Sequence, residues 1–154
     1  MTGIHRPIEQ RNTGKGNPGA MLHFDRPLNR RQQRIADALK DYNSKVILRK
    51  RDVNLKDIAA LTAKTNVEYA LFTRKGERMV IRGGADHVYI TPETAHSMAA
   101  DGWRWSGHTH PGTDPNVKIA SPGDVEVLKA FGQTYSVILD STGKYEVFGG
   151  EQHE

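Results

Sequence analysis

Cysteine is absent from the 154-residue chain. This absence excludes disulfides, thiolate zinc fingers and cysteine nucleophiles, and also the deaminase class of zinc site, in which a PCxxC element holds the metal. Long hydrophobic runs are missing too: no stretch approaches the roughly 20 apolar residues that span a bilayer, and residues 1–20 lack the apolar core of a signal peptide. We therefore expect a soluble protein without a membrane segment, in which histidine, aspartate or glutamate holds any metal.

Aromatic residues make up only 7% of the chain, and no ladder of aromatic residues accompanies the basic cluster in its front part. Positive charge is concentrated at the front: residues 1–56 hold 13 Lys and Arg against 5 Asp and Glu, whereas residues 57–154 hold 9 against 13. The basic cluster consists of Arg26, Arg30, Arg31, Arg34, Arg49, Lys50 and Arg51. It could meet nucleic acid or an acidic surface, but the lack of an aromatic ladder favours solvated faces of a helix and a strand end.

Composition and hydrophobic periodicity along the chain predict a short lead-in, an N-terminal helix and then one domain. Residues 1–28 are rich in Gly, Asn and Pro without periodicity and indicate a flexible linker. Residues 29–44 are predicted to form an N-terminal helix capped by Asn29, with an apolar face running from Ile35 to Tyr42. In residues 45–150 strand and helix patterns alternate, which predicts a layered α/β domain, a mixed β-sheet flanked by helices in two or three layers.

Several elements of that domain have specific local signals. Helix starts are predicted at Asn54, at Thr91 before Pro92, and at Ser121 before Pro122, because these side chains can cap a helix. Hairpins are predicted at the turns KG (75–76) and TG (142–143), and short strands at residues 45–49, 87–90 and 103–110. The sequence does not contain internal repeats.

The segment WRWSGHTH carries the candidate metal ligands. Strand alternation would place Arg104, Ser106, His108 and His110 on one face and the two tryptophans on the other. Two imidazoles two residues apart suit a tetrahedral ion, and Asp124, in the first turn of the next helix, can supply a third bond and leave a fourth position for water. Zinc is favoured because neutral nitrogen donors suit a borderline-soft ion. A lone HxH is weak evidence, and His5, His23, His87, His96 and His153 have no such context.

The sequence HTHP, followed by SPGD at a helix start and preceded by a glutamate in VEYALF, resembles the signature of the JAMM, or MPN-plus, family of JAB-like zinc metalloproteases. The resemblance covers about residues 45–148. The matching residues are Glu68, His108, His110, Ser121 and Asp124. Thirteen residues separate His110 from Asp124, whereas the family usually has about ten, so Asp114 stays an alternative ligand. Glu77 and Glu93 also precede the histidines and are alternatives to Glu68.

The resemblance implies a fold with the layering of cytidine deaminases and the hydrolysis of an amide or isopeptide bond, as in deubiquitinases. One Zn²⁺ with a bound water would be the cofactor, Glu68 would move protons, and Ser121 would donate a hydrogen bond to the oxyanion. The expected partner is a protein or peptide substrate, such as a ubiquitin-like conjugate.

The front segments GNPGA and FDRPLNRRQQRI are also similar to the region ahead of JAB-like toxin domains of bacterial polymorphic toxins. This similarity implies an effector domain of a larger secreted protein that acts in the cytoplasm of a target cell and has an immunity protein; otherwise a cytoplasmic enzyme is expected. Two other classes stay open: a metal-free MPN-type interaction module, and a nucleic-acid-directed metalloenzyme, which the pI of about 9.4 suggests.

Overall fold

The computed structural model describes residues 27–149, so almost all of the lead-in predicted for residues 1–28 lies outside the described residues. This range contains four α-helices and six β-strands. They are α1 (Arg30–Ala38), β1 (Lys45–Arg49), α2 (Leu55–Thr65), β2 (Tyr69–Arg74), β3 (Glu77–Arg82), α3 (Pro92–Ala100), β4 (Arg104–Thr109), α4 (Pro122–Ala130), β5 (Tyr135–Leu139) and β6 (Tyr145–Gly149). Short 3-10 helices span Lys50–Asp52 and Pro115–Lys118.

The six strands form one mixed sheet in the order β1-β3-β2-β4-β5-β6, in which only β4 and β5 are parallel. Its two faces carry separate apolar cores. Helices α1 and α2 cover one face through Ile35, Ile58 and Leu61, whereas α3 and α4 cover the other through Ala95 and Leu128. The α/β prediction is confirmed, with three layers rather than two. Among the described residues, no helix has the length and apolar character needed to cross a membrane.

The helix starts that the sequence predicted are present. Asn54 caps α2 through a capping box with Asp57, Thr91 caps α3, and Ser121 caps α4. The Asp57 carboxylate also accepts hydrogen bonds from Arg31 and Gln32 of α1, which ties the first two helices together. These starts were predictable because each depends on residues within one turn.

Helix α1 ends at Ala38, earlier than the helix predicted over residues 29–44 with an apolar face that reaches Tyr42. The Arg82 guanidinium donates hydrogen bonds to the carbonyl oxygens of Leu39 and Lys40, at 2.8 and 2.9 Å, and Asn43 adopts a left-handed conformation. The end of the helix is therefore set by a side chain from β3 rather than by the apolar period, and Tyr42 is 52% exposed.

The strand predicted at residues 87–90 is wrong. The Gly84 N–H donates to the His87 carbonyl at 2.7 Å, so the chain turns back on itself after β3. Val88 and Ile90 are nevertheless buried in the core beneath α3, which explains why this stretch has a strand-like apolar pattern.

Strand β4 contains a β-bulge that overturns the predicted alternation. Its register against β2 pairs Trp105 with Phe72 but Gly107 with Leu71, so Ser106 is an extra residue. Trp105 and His108 consequently lie on the same face and stack, with ring centroids 4.9 Å apart. Ser106 bonds instead to Thr73 through their hydroxyls, at 2.7 Å, and Arg104 is exposed, so neither shares a face with the histidines as predicted.

Gly107 lies in a tightly packed position at the bulge, where a larger side chain would force its neighbours to shift. A Cβ atom at this position would lie 2.7 Å from side-chain carbons of Leu55 and Val137. We expect Gly107→Ala to lower the free energy of unfolding by about 1–3 kcal/mol, measured by denaturant titration. Gly76, whose added Cβ would meet nothing within 4 Å, is the control, and Gly76→Ala should change stability by less than about 0.5 kcal/mol. Equal stability of the two variants would contradict this account of the bulge.

Candidate metal centre

Three side chains meet at the carboxyl end of β4. His108 lies in the strand, His110 follows directly after it, and Asp124 is in the first turn of α4. The Nε2 atoms of the two histidines are 3.1 Å apart, and Asp124 Oδ2 lies 3.3 Å from His108 Nε2 and 3.5 Å from His110 Nε2. All three side chains are buried, and together they could hold a metal ion.

Rigid elements position each of these residues. His108 is paired with Ala70 of β2 and with Ile138 of β5, so its backbone is held on both sides. The His110 N–H donates to the Leu139 carbonyl at 2.9 Å and continues the pairing with β5.

Asp124 belongs to a capping box: its N–H donates to Ser121 Oγ at 3.1 Å, and its Oδ2 accepts from the Ser121 N–H at 3.0 Å. The three ligand atoms are therefore preorganised by the sheet and by a helix start.

The distances between the three atoms fit a tetrahedral ion. Bonds of about 2.0–2.1 Å from zinc to nitrogen or oxygen imply about 3.3 Å between neighbouring tetrahedral ligands. The three separations, 3.1, 3.3 and 3.5 Å, surround this value. The arrangement therefore matches three corners of a tetrahedron.

The protonation of His110 points to a cation as well. Its Nδ1 lies in hydrogen-bond contact with the Val117 carbonyl, which can only accept, so Nδ1 carries the proton. In the neutral ring Nε2 then has a lone pair directed at the Asp124 carboxylate and at His108. Such electron-rich atoms repel each other unless a proton or a metal ion lies between them, and a backbone carbonyl is one of the groups that accept from the outer nitrogen of a metal-bound histidine.

The surroundings of His108 and Asp124 favour the ligating form of each. Burial lowers the pKa of His108, although the Asp124 carboxylate acts in the opposite direction, so the imidazole is neutral at pH 7. Burial alone would raise the pKa of Asp124, but the adjacent His108 and His110 outweigh it and hold that pKa well below its usual range. A neutral imidazole beside an ionised carboxylate is the state that binds a metal.

The His108 ring is held by packing instead of by a second hydrogen bond. It stacks on Trp105 and meets the edge of Phe148 with ring centroids 5.8 Å apart, while its Nδ1 has no hydrogen-bond partner within the described part of the chain. Sequence reasoning missed these aromatic neighbours because strand alternation placed Trp105 on the other face. Gly107, a glycine inside the strand pattern, is the local signal that could have indicated the bulge.

Of the three candidate glutamates, Glu68 is the one beside the histidines. Its Oε2 lies 3.8 Å from His110 Nε2, and the side chain is 2% exposed. It lies one residue before β2, not inside the strand, but its backbone continues the pairing with the segment after β3, through Gly83 and Gly84. Glu77 and Glu93 are exposed, and Glu77 forms an ion pair with Arg74.

The alternative ligand and the remaining histidines lie elsewhere. Asp114 caps the 3-10 helix Pro115–Lys118 by accepting from the Asn116 N–H at 2.9 Å, and Asp124 is the aspartate grouped with the two imidazoles. His87 bonds to Tyr42 and Asp86, and His96 is exposed on α3. The other histidines without context, His5, His23 and His153, lie outside the described residues.

Comparison of the chain with family models, with curated proteins and with solved structures finds no match.

Proposed function

We propose that the protein is a zinc-dependent hydrolase of the JAMM type that cleaves an amide or isopeptide bond in a protein or peptide. The observation that carries this proposal is the set of three buried ligand atoms at tetrahedral separations with the Glu68 carboxylate beside them. A buried acid next to such a site is the group that hydrolysis needs in addition to the ligands.

A single zinc ion, with a water in the fourth position, suits the donor set better than magnesium or calcium because two of the three ligands are imidazoles. Bound there, zinc would supply Lewis acidity toward the substrate carbonyl and bring the pKa of a water toward about 7. His108, His110 and Asp124 would hold it. The carboxylate would reduce the net charge of the centre from +2 to +1.

Two side chains would move or donate protons. Glu68 Oε2 would accept the proton of the attacking water and later deliver a proton to the departing amine nitrogen. Ser121 uses its oxygen lone pair to cap α4, which leaves its hydroxyl proton for the oxyanion of the substrate. One hydroxyl group can thus accept a hydrogen bond at the helix start and donate one to the oxyanion.

The resemblance of Glu68, HTHP and SPGD to the JAMM signature supports this reaction class, and the three-layer arrangement agrees with the deaminase-like layering that the family implies. By the same resemblance we propose a ubiquitin-like conjugate as the class of substrate. A role as the effector domain of a larger bacterial secreted protein, with an immunity protein and a site of action in the cytoplasm of a target cell, rests on the front segments alone.

The cost of burying four ionisable side chains argues against a metal-free interaction module. Glu68, His108, His110 and Asp124 are each at most 2% exposed. Removing ionised groups from water costs several kcal/mol per ion unless a counter-charge compensates, and a scaffold would gain nothing from them. A nucleic-acid-directed enzyme is the weaker alternative, because two-metal nucleases bring more carboxylates to the metal.

The proposal predicts one zinc ion per chain and chelator-sensitive hydrolysis. We expect elemental analysis of the purified protein to find zinc near one equivalent, and profiling on ubiquitin-like conjugates and cell-wall peptides to find cleavage that a chelator abolishes and added zinc restores. A folded chain that takes up no zinc would leave the interaction module as the better reading. Salt-dependent binding of DNA or RNA with metal-dependent cleavage would instead favour the nucleic-acid enzyme.

A further inference from the structure

The thirteen residues between His110 and Asp124 contain a structured support for the metal centre. Residues 111–121 of this segment are named the ligand loop, and the 3-10 helix Pro115–Lys118 lies in the middle of the loop. This helix directs the buried Val117 carbonyl at His110 Nδ1. The ligand loop therefore determines which nitrogen of His110 is free to bind a metal.

The ligand loop is fastened to the turn between β5 and β6 at two points. Near its start, Gly112 and Ser141 exchange hydrogen bonds: the Gly112 N–H donates to Ser141 Oγ at 2.8 Å, and the Ser141 N–H donates to the Gly112 carbonyl at 2.9 Å. At the 3-10 helix, Lys118 Nζ pairs with Asp140 Oδ2 at 3.2 Å, with the two side chains 10% and 2% exposed. Such a shielded pair is screened little by solvent.

Hydrogen bonds within the β5–β6 turn orient the Asp140 carboxylate independently of Lys118. Its Oδ1 accepts hydrogen bonds from the Thr142 N–H at 2.9 Å, the Thr142 hydroxyl at 2.6 Å and the Lys144 N–H at 3.1 Å. These three bonds belong to the β5–β6 turn and orient the carboxylate so that Oδ2 faces the loop. The turn thus holds a preoriented carboxylate oxygen that accepts the Lys118 ammonium group.

We propose that Lys118 and Asp140 are positioning residues for the metal ligand His110. They act through Val117, which directly precedes Lys118 in the same 3-10 turn, so anchoring Lys118 holds the Val117 carbonyl against the imidazole. The inference rests on the metal centre of the proposed function. It assigns a role to an ion pair outside the group of the three ligands.

Lys118→Met and Asp140→Asn test this role by zinc affinity, measured in competition with a coloured chelator. We expect each variant to bind zinc 10-fold to 100-fold more weakly than the unchanged protein, the range typical of lost outer-shell partners. Lys118→Arg, which keeps the cation, should restore most of the affinity. Cobalt-substituted Lys118→Met should also have shifted visible absorption bands, because the orientation of His110 changes at the metal.

Asp57→Asn is the matched control. Asp57 is as buried as Asp140 and also pairs with a basic side chain, Arg31, but it lies between α1 and α2. This variant should lose stability without a change in zinc affinity or in the cobalt spectrum. The inference is overturned if Lys118→Met and Asp140→Asn bind zinc within twofold of the unchanged protein, or if Asp57→Asn weakens binding equally. Failure of the unchanged protein to bind zinc would overturn the metal centre itself, and with it this inference.

Discussion

Replacement of His108 by alanine is expected to reduce bound zinc from one equivalent to near zero and hydrolysis to background. Two ligands, His110 and Asp124, cannot hold the ion at the concentrations in which three do, and a tetrahedral site with three protein ligands leaves no spare donor. Zinc content after dialysis and cleavage of the best substrate found in profiling are the two measurements.

His96→Ala controls for the loss of an imidazole, because His96 is exposed on α3 and contacts no ligand in the described part of the chain. It should keep both zinc and activity. His108→Ala also leaves a space beside Trp105, so its circular dichroism and thermal unfolding must be compared with those of the unchanged protein. A folded His108→Ala protein with a full equivalent of zinc would contradict the assignment of this ligand.

Substitution of Glu68 by glutamine is expected to separate metal binding from catalysis. Glutamine has nearly the shape of glutamate but cannot accept the proton of a water, so zinc content should stay near one equivalent while the rate of hydrolysis falls 100-fold to 10,000-fold. The 3.8 Å separation between Glu68 Oε2 and His110 Nε2 places the carboxylate beside the ligands without making it one of the three grouped side chains.

Glu77→Gln is the corresponding control, since Glu77 is an exposed glutamate at the β2–β3 hairpin and was an alternative in the sequence. It should cleave substrate at the rate of the unchanged protein. Activity that survives in Glu68→Gln would show that another residue is the base, whereas loss of zinc from that variant would show that Glu68 is itself a ligand.

The features that could be predicted from sequence depend on short stretches of chain. The caps at Asn29, Asn54, Thr91 and Ser121 each involve a side chain and a backbone N–H within one turn, so the residues alone were sufficient. The grouping of His108, His110 and Asp124 was predictable for a related reason. A strand end and the next helix start are close in the chain, and the resemblance to a known signature supplied the remaining long-range information.

The features that could not be predicted depend on partners distant in sequence. The end of α1 is set by Arg82, more than 40 residues downstream. The contacts of Lys118 with Asp140 follow from the packing of the ligand loop on the β5–β6 turn. The position of Glu68 beside His110 follows from the pairing of β2 with β4, and only the family resemblance predicted it. Hydrophobic periodicity contains no information about such pairs.

The extra residue in β4 determines on which face of the sheet the His108 imidazole lies. In a regular ladder His108 would pair with Tyr69, whose side chain packs beneath α1 and α2; with the bulge it pairs with Ala70 and faces the layer that contains α4 and its aspartate. Removal of one residue from this strand, with every ligand left intact, would direct the first imidazole away from its carboxylate. Whether β4 has an odd or even number of residues between its paired positions and His108 is thus as necessary to this centre as the identity of its donor atoms.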